Sequence, residues 1–288
     1  MINMSIQGKY FLFILPLFLC SGLVHAEMVS LETSDNVIAT AEYKPGEPGK
    51  PVLIFIHGFL QTRSFSTVDR LFNALHDSGF PVLAPTLSLG ISNRAQALPC
   101  ESIHTHSLHN DSAEIAQWVN WAGQHGHEDI VLIGHSAGSV NITAYLASGT
   151  HPVVKKTILI SLTHYGPGRP AALETEEHAR LARNMIEQGD SSLASFALAF
   201  CKEYVSTAEN FLSYYDWSDQ DILNTINAET SENYIIIGST DNRIDKDWIS
   251  SLEKARARVI VIDGASHFFD QSHEFDLLEK VEDILDAE

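Results

Sequence analysis

Positive charge is scarce in this sequence of 288 residues. Lysine and arginine together number 18 against 37 aspartates and glutamates, which gives a formal net charge of −19 at pH 7. A chain this acidic is repelled by phosphate backbones and by anionic lipid surfaces. The composition therefore excludes a typical nucleic-acid-binding protein and leaves the chemistry of a small-molecule substrate open.

Long apolar runs are also missing. A membrane-spanning helix needs about 20 consecutive apolar residues, and the run at 10–19 is shorter. With Lys9 before it and a Val-His-Ala sequence ending at Ala26, this run has the layout of a secretory signal peptide. We predict a signal peptide over 1–26, a mature domain over 27–288, and export to the periplasm or the medium without a stable membrane anchor.

Cysteine is rare as well. Cys20 lies inside the predicted signal peptide, so the mature chain keeps only Cys100 and Cys201. Leu19 precedes Cys20, whereas a lipid-modified cysteine normally follows a small residue. An even pair of cysteines in an exported protein indicates a disulfide. The alternative is a pair of buried thiols.

The apolar runs that are present are continuous rather than alternating, which is typical of strands buried on both faces of a mostly parallel sheet. They lie at 52–57, 82–87, 130–135, 157–162, 234–239 and 258–262. Between them, apolar residues recur every three or four positions over 67–76 and 111–121, which predicts helices. Strands alternating with helices predict a doubly wound α/β fold in one domain.

The alternation of strands and helices is interrupted over about 163–230. This segment shows helical patterns at 174–188 and 193–205 and no strand-like run. We predict a helical lid inserted between two strands of the sheet. Its aromatic residues favour a packed core, with an acyl-binding surface as the alternative. They are Phe196, Phe200, Phe211, Tyr214 and Trp217.

Residues 134–138 have the sequence Gly-His-Ser-Ala-Gly, a G-x-S-x-G pattern. The pattern directly follows a predicted strand and directly precedes a helical stretch. A sharp turn in that setting lifts the serine side chain out of the sheet in a strained conformation. Ser136 is therefore the candidate nucleophile, and the alternative is an ordinary Gly/Ser turn that caps a helix.

A serine hydroxyl is a weak nucleophile and needs a base, which in turn needs a group to orient it. His267 follows the predicted strand at 258–262, and Asp241 follows the one at 234–239. Both lie at the carboxyl ends of strands, where ligands meet an open α/β sheet. We predict His267 as the base and Asp241 as the acid that fixes its tautomer, with Asp245 as the closest alternative acid.

The order of nucleophile, acid and base along the chain, together with a His-Gly-Phe sequence at 57–59 after an early strand, resembles the α/β-hydrolase superfamily. The resemblance covers nearly all of the mature chain. It implies an oxyanion hole made by the backbone N–H groups of Phe59 and Ala137. His57 and His135 are expected to support the oxyanion loop and the nucleophile turn. The chain lacks the His-Gly-Gly-Gly sequence of one lipase and esterase subgroup, so the subgroup stays open.

Three further histidines lie close together, at 104, 106 and 109, with Asp111 nearby. Such a cluster is compatible with a metal site. The favoured alternative is a polar surface loop at the mouth of the active site, linked to the lid through Cys100 and Cys201. We therefore predict no metal.

Together these features predict acyl transfer to water, for which no metal or organic cofactor is required. The expected substrate is a small-molecule or lipid-like carboxylic ester, as for a carboxylesterase or lipase. A thioesterase or a peptidase is the alternative, because the same triad serves different leaving groups. A non-catalytic binding protein that keeps the fold is the hypothesis from a different class.

Overall fold

The computed structural model describes residues 26–149, 152–166 and 175–287. Except for Ala26, the predicted signal peptide lies outside these residues. The strands are β1 (Glu27–Glu32), β2 (Ile38–Lys44), β3 (Val52–Ile56), β4 (Val82–Thr86), β5 (Ile103–His104), β6 (Ile130–His135), β7 (Val154–Ile160), β8 (Ala194–Leu198), β9 (Cys201–Ser206), β10 (Glu232–Gly238) and β11 (Arg258–Ile262). The helices are α1 (Ser66–Asp77), α2 (Leu108–Gln124), α3 (Ala137–Leu146), α4 (Thr175–Glu187), α5 (Ala208–Tyr215), α6 (Asp219–Ala228), α7 (Lys246–Leu252) and α8 (His273–Asp286).

The central sheet has eight strands in the order β1-β2-β4-β3-β6-β7-β10-β11. From β4 to β11 neighbouring strands are parallel, whereas β1 and β2 form an antiparallel hairpin that extends the sheet at β4. The predicted doubly wound α/β fold is confirmed. Because the central strands are parallel, their carboxyl ends meet at one side of the sheet, which we call the carboxyl edge.

Both faces of the sheet are covered, which explains why the strand sequences are continuously apolar. In β3, Val52, Ile54 and Ile56 belong to one core cluster, whereas Leu53 and Phe55 belong to the other. Helices α2 and α3 pack on the first face, and α1 and α8 pack on the second. Each such fully buried side chain contributes about 1.5–3 kcal/mol of transfer free energy. No helix within the described residues is long and apolar enough to cross a bilayer.

The segment between β7 and β10 departs from the predicted structure. The helix predicted over 193–205 is wrong, because this stretch forms the antiparallel hairpin of β8 and β9. Phe196 lies opposite Tyr204 in the hairpin, and Ala199 makes the turn with a positive φ of 55°. Apolar residues three or four positions apart fit a helix, but pairing of β9 with the distant strand β5 selects the extended form.

The helix predicted over 174–188 is confirmed as α4. The insertion therefore combines the helices α4, α5 and α6 with the hairpin of β8 and β9, which pairs with β5 from outside the insertion to form a three-stranded sheet in the order β5-β9-β8. It is not helical throughout. That it acts as a lid stays a prediction.

Candidate active site

Ser136 lies at a sharp turn between β6 and α3. Its backbone has φ 56° and ψ −121°, a conformation that costs an L-residue free energy. The flanking glycines make the turn sterically allowed. A Cβ on Gly134 would lie 2.6 Å from the Ser139 nitrogen, and one on Gly138 would lie 2.2 Å from the Ile56 oxygen. The close packing of α3 against β3 and β6 therefore requires glycine at both positions.

His267 and Asp241 reach Ser136 from the two neighbouring loops of the carboxyl edge. The loop after β11 carries His267, whose Nε2 lies 2.9 Å from the Ser136 Oγ. The loop after β10 carries Asp241, whose Oδ2 lies 2.7 Å from the His267 Nδ1. All three groups are within hydrogen-bond reach, so a proton can pass from the serine hydroxyl to the imidazole while the carboxylate orients the ring.

The surroundings of Asp241 keep it ionised. Burial disfavours its carboxylate, but the hydrogen bond and charge of His267 and the backbone N–H of Arg243 hold its pKa below the ordinary value. The N–H of Arg243 donates to Oδ1 at 2.9 Å. An ionised acceptor at Nδ1 leaves the lone pair of Nε2 for the serine proton. Asp245 has a different role, because it caps α7 by accepting a hydrogen bond from the Trp248 N–H at 2.7 Å.

Phe59 and Ala137 lie beside Ser136. Both line the cavity that contains it, and a Cβ on Gly58 would lie 3.6 Å from the Ser136 Cβ. Within the described part of the chain, neither the Phe59 nor the Ala137 N–H has a hydrogen-bond acceptor. Two donors without an acceptor next to a nucleophile match the predicted oxyanion hole, whose role stays a prediction.

A protein-family model described as the alpha/beta hydrolase family matches residues 53–280. The chain belongs to this family. Among solved structures it is similar to the α/β hydrolase GrgF from Penicillium sp. sh18, with 15% sequence identity, a TM-score of 0.69, and 91% of this chain and 98% of that chain covered. No curated protein matches the sequence.

Two further solved structures are similar to this hydrolase. Est1E from Butyrivibrio proteoclasticus shares 17% identity at a TM-score of 0.64, with 90% of this chain and 97% of that chain covered. The thioesterase domain from the curacin biosynthetic pathway shares 17% identity at a TM-score of 0.62, with 91% and 99% covered. At such identities the similarity concerns the fold.

His57, as a neutral ring, holds the loop after β3 that contains Gly58 and Phe59, the predicted oxyanion loop. Burial, followed by the charge of Arg94, lowers its pKa to about 3. Its Nδ1 lies 2.9 Å from the Gly58 carbonyl, to which it donates, and its Nε2 accepts the Leu87 N–H at 3.0 Å. The predicted supporting role of His57 therefore has a geometric basis.

Arg94 is a contributor that the sequence did not reveal. Its guanidinium is buried and donates to the carbonyls of Leu87, Gln96 and Gln61 at 2.7, 2.8 and 2.7 Å. It also lies 3.2 Å from the His57 Nε2. Arg94 thereby joins the predicted oxyanion loop to the loop after β4. No local pattern marks such a residue, because its partners are backbone carbonyls from separate segments.

His135, next to Ser136, supports the backbone of His267. Burial, followed by the charge of His267, lowers the pKa of His135 to about 3. The neutral ring lies with Nε2 2.9 Å from the His267 carbonyl, and the Ser161 hydroxyl donates to the same carbonyl at 3.1 Å. The backbone of His267, the predicted base, is therefore held by residues at the ends of two neighbouring strands.

The cavity beside Ser136 has a volume of about 170 Å³ and mainly apolar walls. It is lined by Gly58, Phe59, Gln61, Phe65, His135, Ser136, Ala137, Thr163, Tyr165, Ala199, Phe200, Arg243 and Phe268. The hairpin of the insertion contributes Ala199 and Phe200. Of the predicted lid aromatics, Phe200 alone is among the lining residues of this cavity in the described chain, whereas Phe196, Phe211 and Tyr214 are buried core.

The segment with the histidine cluster lies at the surface, as predicted, with Ile103 and Thr105 exposed, but two of its histidines point inward. His104 and His106 are buried, and only His109 is exposed. His106 Nδ1 lies 3.2 Å from Asp111 Oδ1, and the Tyr214 hydroxyl donates to Asp111 Oδ2 at 2.6 Å. Within the described residues, no group of three or more His, Cys, Asp or Glu side chains is placed to hold a metal ion. His106 and Asp111 therefore belong to a buried polar network next to the predicted oxyanion loop, where the Phe59 and Tyr214 rings lie 6.3 Å apart.

Cys100 and Cys201 form the predicted disulfide, with Cα atoms 5.3 Å apart. Cys201 is the first residue of β9 and directly follows Phe200 in the cavity wall. The bridge therefore fixes the hairpin turn of the insertion to the chain segment before β5.

Proposed function

We propose that the protein is a serine hydrolase that cleaves carboxylic esters through an acyl-enzyme intermediate. The observation that carries the proposal is the continuous relay from Ser136 Oγ through both ring nitrogens of His267 to Asp241, with separations of 2.9 and 2.7 Å. Membership of the α/β-hydrolase family supports a hydrolase. Similarity to the Pyrococcus furiosus esterase Pf2001, at 17% identity and a TM-score of 0.60, supports ester chemistry.

In the first half-reaction, Ser136 Oγ passes its proton to His267 Nε2 and attacks the carbonyl carbon of the ester. The N–H groups of Phe59 and Ala137 donate to the oxygen that becomes negative, and each such donor is worth about 3 kcal/mol in the transition state. The protonated His267, paired with Asp241, then gives its proton to the leaving alcohol.

In the second half-reaction, a water molecule gives a proton to His267 and attacks the acyl carbon. Collapse of this intermediate returns the proton to Ser136 Oγ and releases the carboxylic acid. The cavity of about 170 Å³ favours short or compact acyl groups over long chains. A thioesterase is a second candidate, because the thioesterase domain from the curacin biosynthetic pathway shares the fold.

The test is hydrolysis of p-nitrophenyl esters from acetate to palmitate by the mature protein, beside Ser136→Ala. We expect activity on the short esters and its loss, by roughly 10⁴-fold or more, in Ser136→Ala. Ser148→Ala is the matched control, because Ser148 is exposed near the far end of α3. Labelling by a fluorophosphonate probe should follow the same pattern.

Activity that survives in Ser136→Ala would refute the mechanism. Acyl thioesters assayed in parallel separate the two candidates: a much higher rate on thioesters than on the matching oxygen esters would favour the thioesterase. Absence of both hydrolysis and probe labelling in a folded protein would favour the non-catalytic binding protein.

We also propose that the chain is exported. The disulfide supports this, because structural disulfides persist mainly in oxidising compartments. Mass determination of protein expressed with its own first 26 residues tests the proposal. A mature chain that begins near Glu27 is expected, and an uncleaved chain retained in the cytoplasm would contradict it.

A further inference from the structure

The cavity beside Ser136 contains a single cationic side chain, Arg243, among the described lining residues. Phe59, Tyr165 and Phe200 lie on the walls around it, and no aspartate or glutamate is among the described residues that line the cavity. Arg243 therefore places a permanent positive charge in a mainly apolar binding site.

Arg243 is held in place by its surroundings. Its backbone N–H donates to Asp241 Oδ1 at 2.9 Å, and the helix cap at Asp245 fixes the chain just beyond it. Its guanidinium carbon lies 4.9 Å from the centre of the Phe268 ring, in the range of a cation–π contact. Since Phe268 directly follows His267, the guanidinium is positioned next to the catalytic base.

Within the described residues, the Arg243 guanidinium has no carboxylate within ion-pair distance and no hydrogen-bond acceptor. Other described cations whose side chains lack such partners are exposed at the surface: Arg180, Lys202, Lys246, Lys254 and Arg256. Arg243 differs from them because it is half-buried and lines the cavity. A half-buried cation without a counter-ion is unusual in a chain with a net charge of −19.

We propose that Arg243 binds an anionic group of the substrate, so that the hydrolase prefers esters that carry a carboxylate on the acyl or the alcohol part. The inference rests on the proposed function and names the substrate class of that site. The planar guanidinium presents paired N–H donors that match a carboxylate, and the aromatic walls pack against the rest of the molecule.

A structural role makes a different prediction. If Arg243 only holds Phe268 and the His267 loop, its removal lowers the activity on charged and neutral esters alike. If it binds the substrate, its removal lowers the preference for the charged ester. The decisive quantity is therefore the ratio of kcat/KM for an anionic ester to that for its neutral isostere.

Two matched pairs of substrates show whether the preferred carboxylate lies on the acyl or the alcohol part of the ester. On the acyl side, the methyl half-ester of glutaric acid is compared with its ω-amide, methyl 4-carbamoylbutanoate. On the alcohol side, 4-acetoxybenzoate is compared with 4-acetoxybenzamide.

We expect Arg243→Gln to lower the anionic-to-neutral ratio of kcat/KM in at least one pair by roughly 10-fold or more, because a charged hydrogen bond is lost. Arg243→Lys should restore part of the ratio, and Lys246→Gln, three positions along the chain, should leave the ratio as in the wild type. Unchanged ratios in both pairs for Arg243→Gln would overturn the proposal.

Two measurements keep the test independent of folding and of catalysis. In the wild type, added NaCl should raise KM for the preferred anionic ester more than KM for its amide, because salt screens the ion pair with Arg243. If the two substrates have equal KM values at all salt concentrations, that result would count against an anion site. Binding of benzoate and benzamide to Ser136→Ala is followed by NMR, with and without Arg243→Gln. If benzoate binds and Arg243→Gln abolishes this binding, the result supports the anion site even if no ester is hydrolysed. If benzoate and benzamide bind equally weakly, the result would refute the anion site.

Discussion

The carboxyl edge of the sheet and the hairpin of the insertion both border the cavity, but different forces hold them. At the edge, Ser136, Asp241 and His267 follow buried parallel strands directly and are joined by short hydrogen bonds. In the hairpin, Phe200 lies at a turn that is fixed by a disulfide and by ring contacts, such as that with Phe59 at 5.7 Å. The edge therefore holds the proposed catalytic residues, whereas the hairpin forms part of the wall of the cavity beside them.

If this contrast holds, Asp241→Asn should affect catalysis most strongly. An asparagine at this position presents an N–H to His267 Nδ1, which favours the tautomer that cannot accept the serine proton. We expect kcat to fall by about 10⁴-fold with little change in KM, as in other triads. Initial-rate kinetics on a short p-nitrophenyl ester measure this effect.

Asp245→Asn is the matched control for that substitution. Asp245 lies four positions further along the same loop and caps α7 through the Trp248 N–H. Asparagine caps helices about as well as aspartate, so activity and stability should stay close to those of the wild type. A loss of kcat in Asp245→Asn as large as that in Asp241→Asn would mean that the acid has been assigned wrongly.

Removal of the disulfide that holds the hairpin should have the opposite effect to Asp241→Asn, because it should change KM more than kcat. The double variant Cys100→Ser, Cys201→Ser removes a covalent link between residues 101 positions apart, for which chain entropy predicts a loss of about 4.7 kcal/mol in the free energy of unfolding. Below the new melting temperature, KM should rise because the wall at Phe200 loosens, while kcat changes less because the triad is untouched.

Reduction of the wild type with dithiothreitol should reproduce the double variant, and the double variant should not respond to dithiothreitol. Urea unfolding gives the free energy of unfolding, and initial-rate kinetics give kcat and KM. A kcat that falls in proportion to the rise in KM would show that the hairpin and the triad are not independent, and would break the contrast between the two regions.

The same contrast explains what was predictable from the sequence. The position of Ser136 follows from a short motif after an apolar run, and His267 and Asp241 follow from strand ends, so local patterns predicted the edge. The hairpin at β8 and β9 escaped prediction because its apolar spacing also fits a helix, and its partner β5 lies about a hundred residues earlier in the chain. Arg94 escaped because its acceptors are backbone carbonyls, which no sequence pattern marks.

Acid should lower the free energy of unfolding, because neutral histidines are buried at the carboxyl edge. The pKa of His57 and that of His135 are each lowered from 6.5 to about 3, mainly by burial. In the unfolded chain these rings take up protons as the pH falls below about 6.5, whereas in the folded protein they stay neutral until about 3. The unfolded state thus binds more protons in this window, so folding stability falls as the pH falls.

Each neutral histidine contributes a slope of up to about 1.4 kcal/mol per pH unit to the free energy of unfolding within that window. Urea unfolding at several pH values gives the free energy of unfolding as a function of pH. Below neutral pH, this free energy should fall less steeply for His135→Gln than for the wild type, by about one such slope. Above neutral pH, the two curves should be parallel. The comparison uses slopes, so it holds even if His135→Gln is less stable at every pH. Equal slopes below pH 6 would mean that His135 is already protonated in the folded protein, and a charged imidazole beside His267 would then oppose the imidazolium that the proposed mechanism forms.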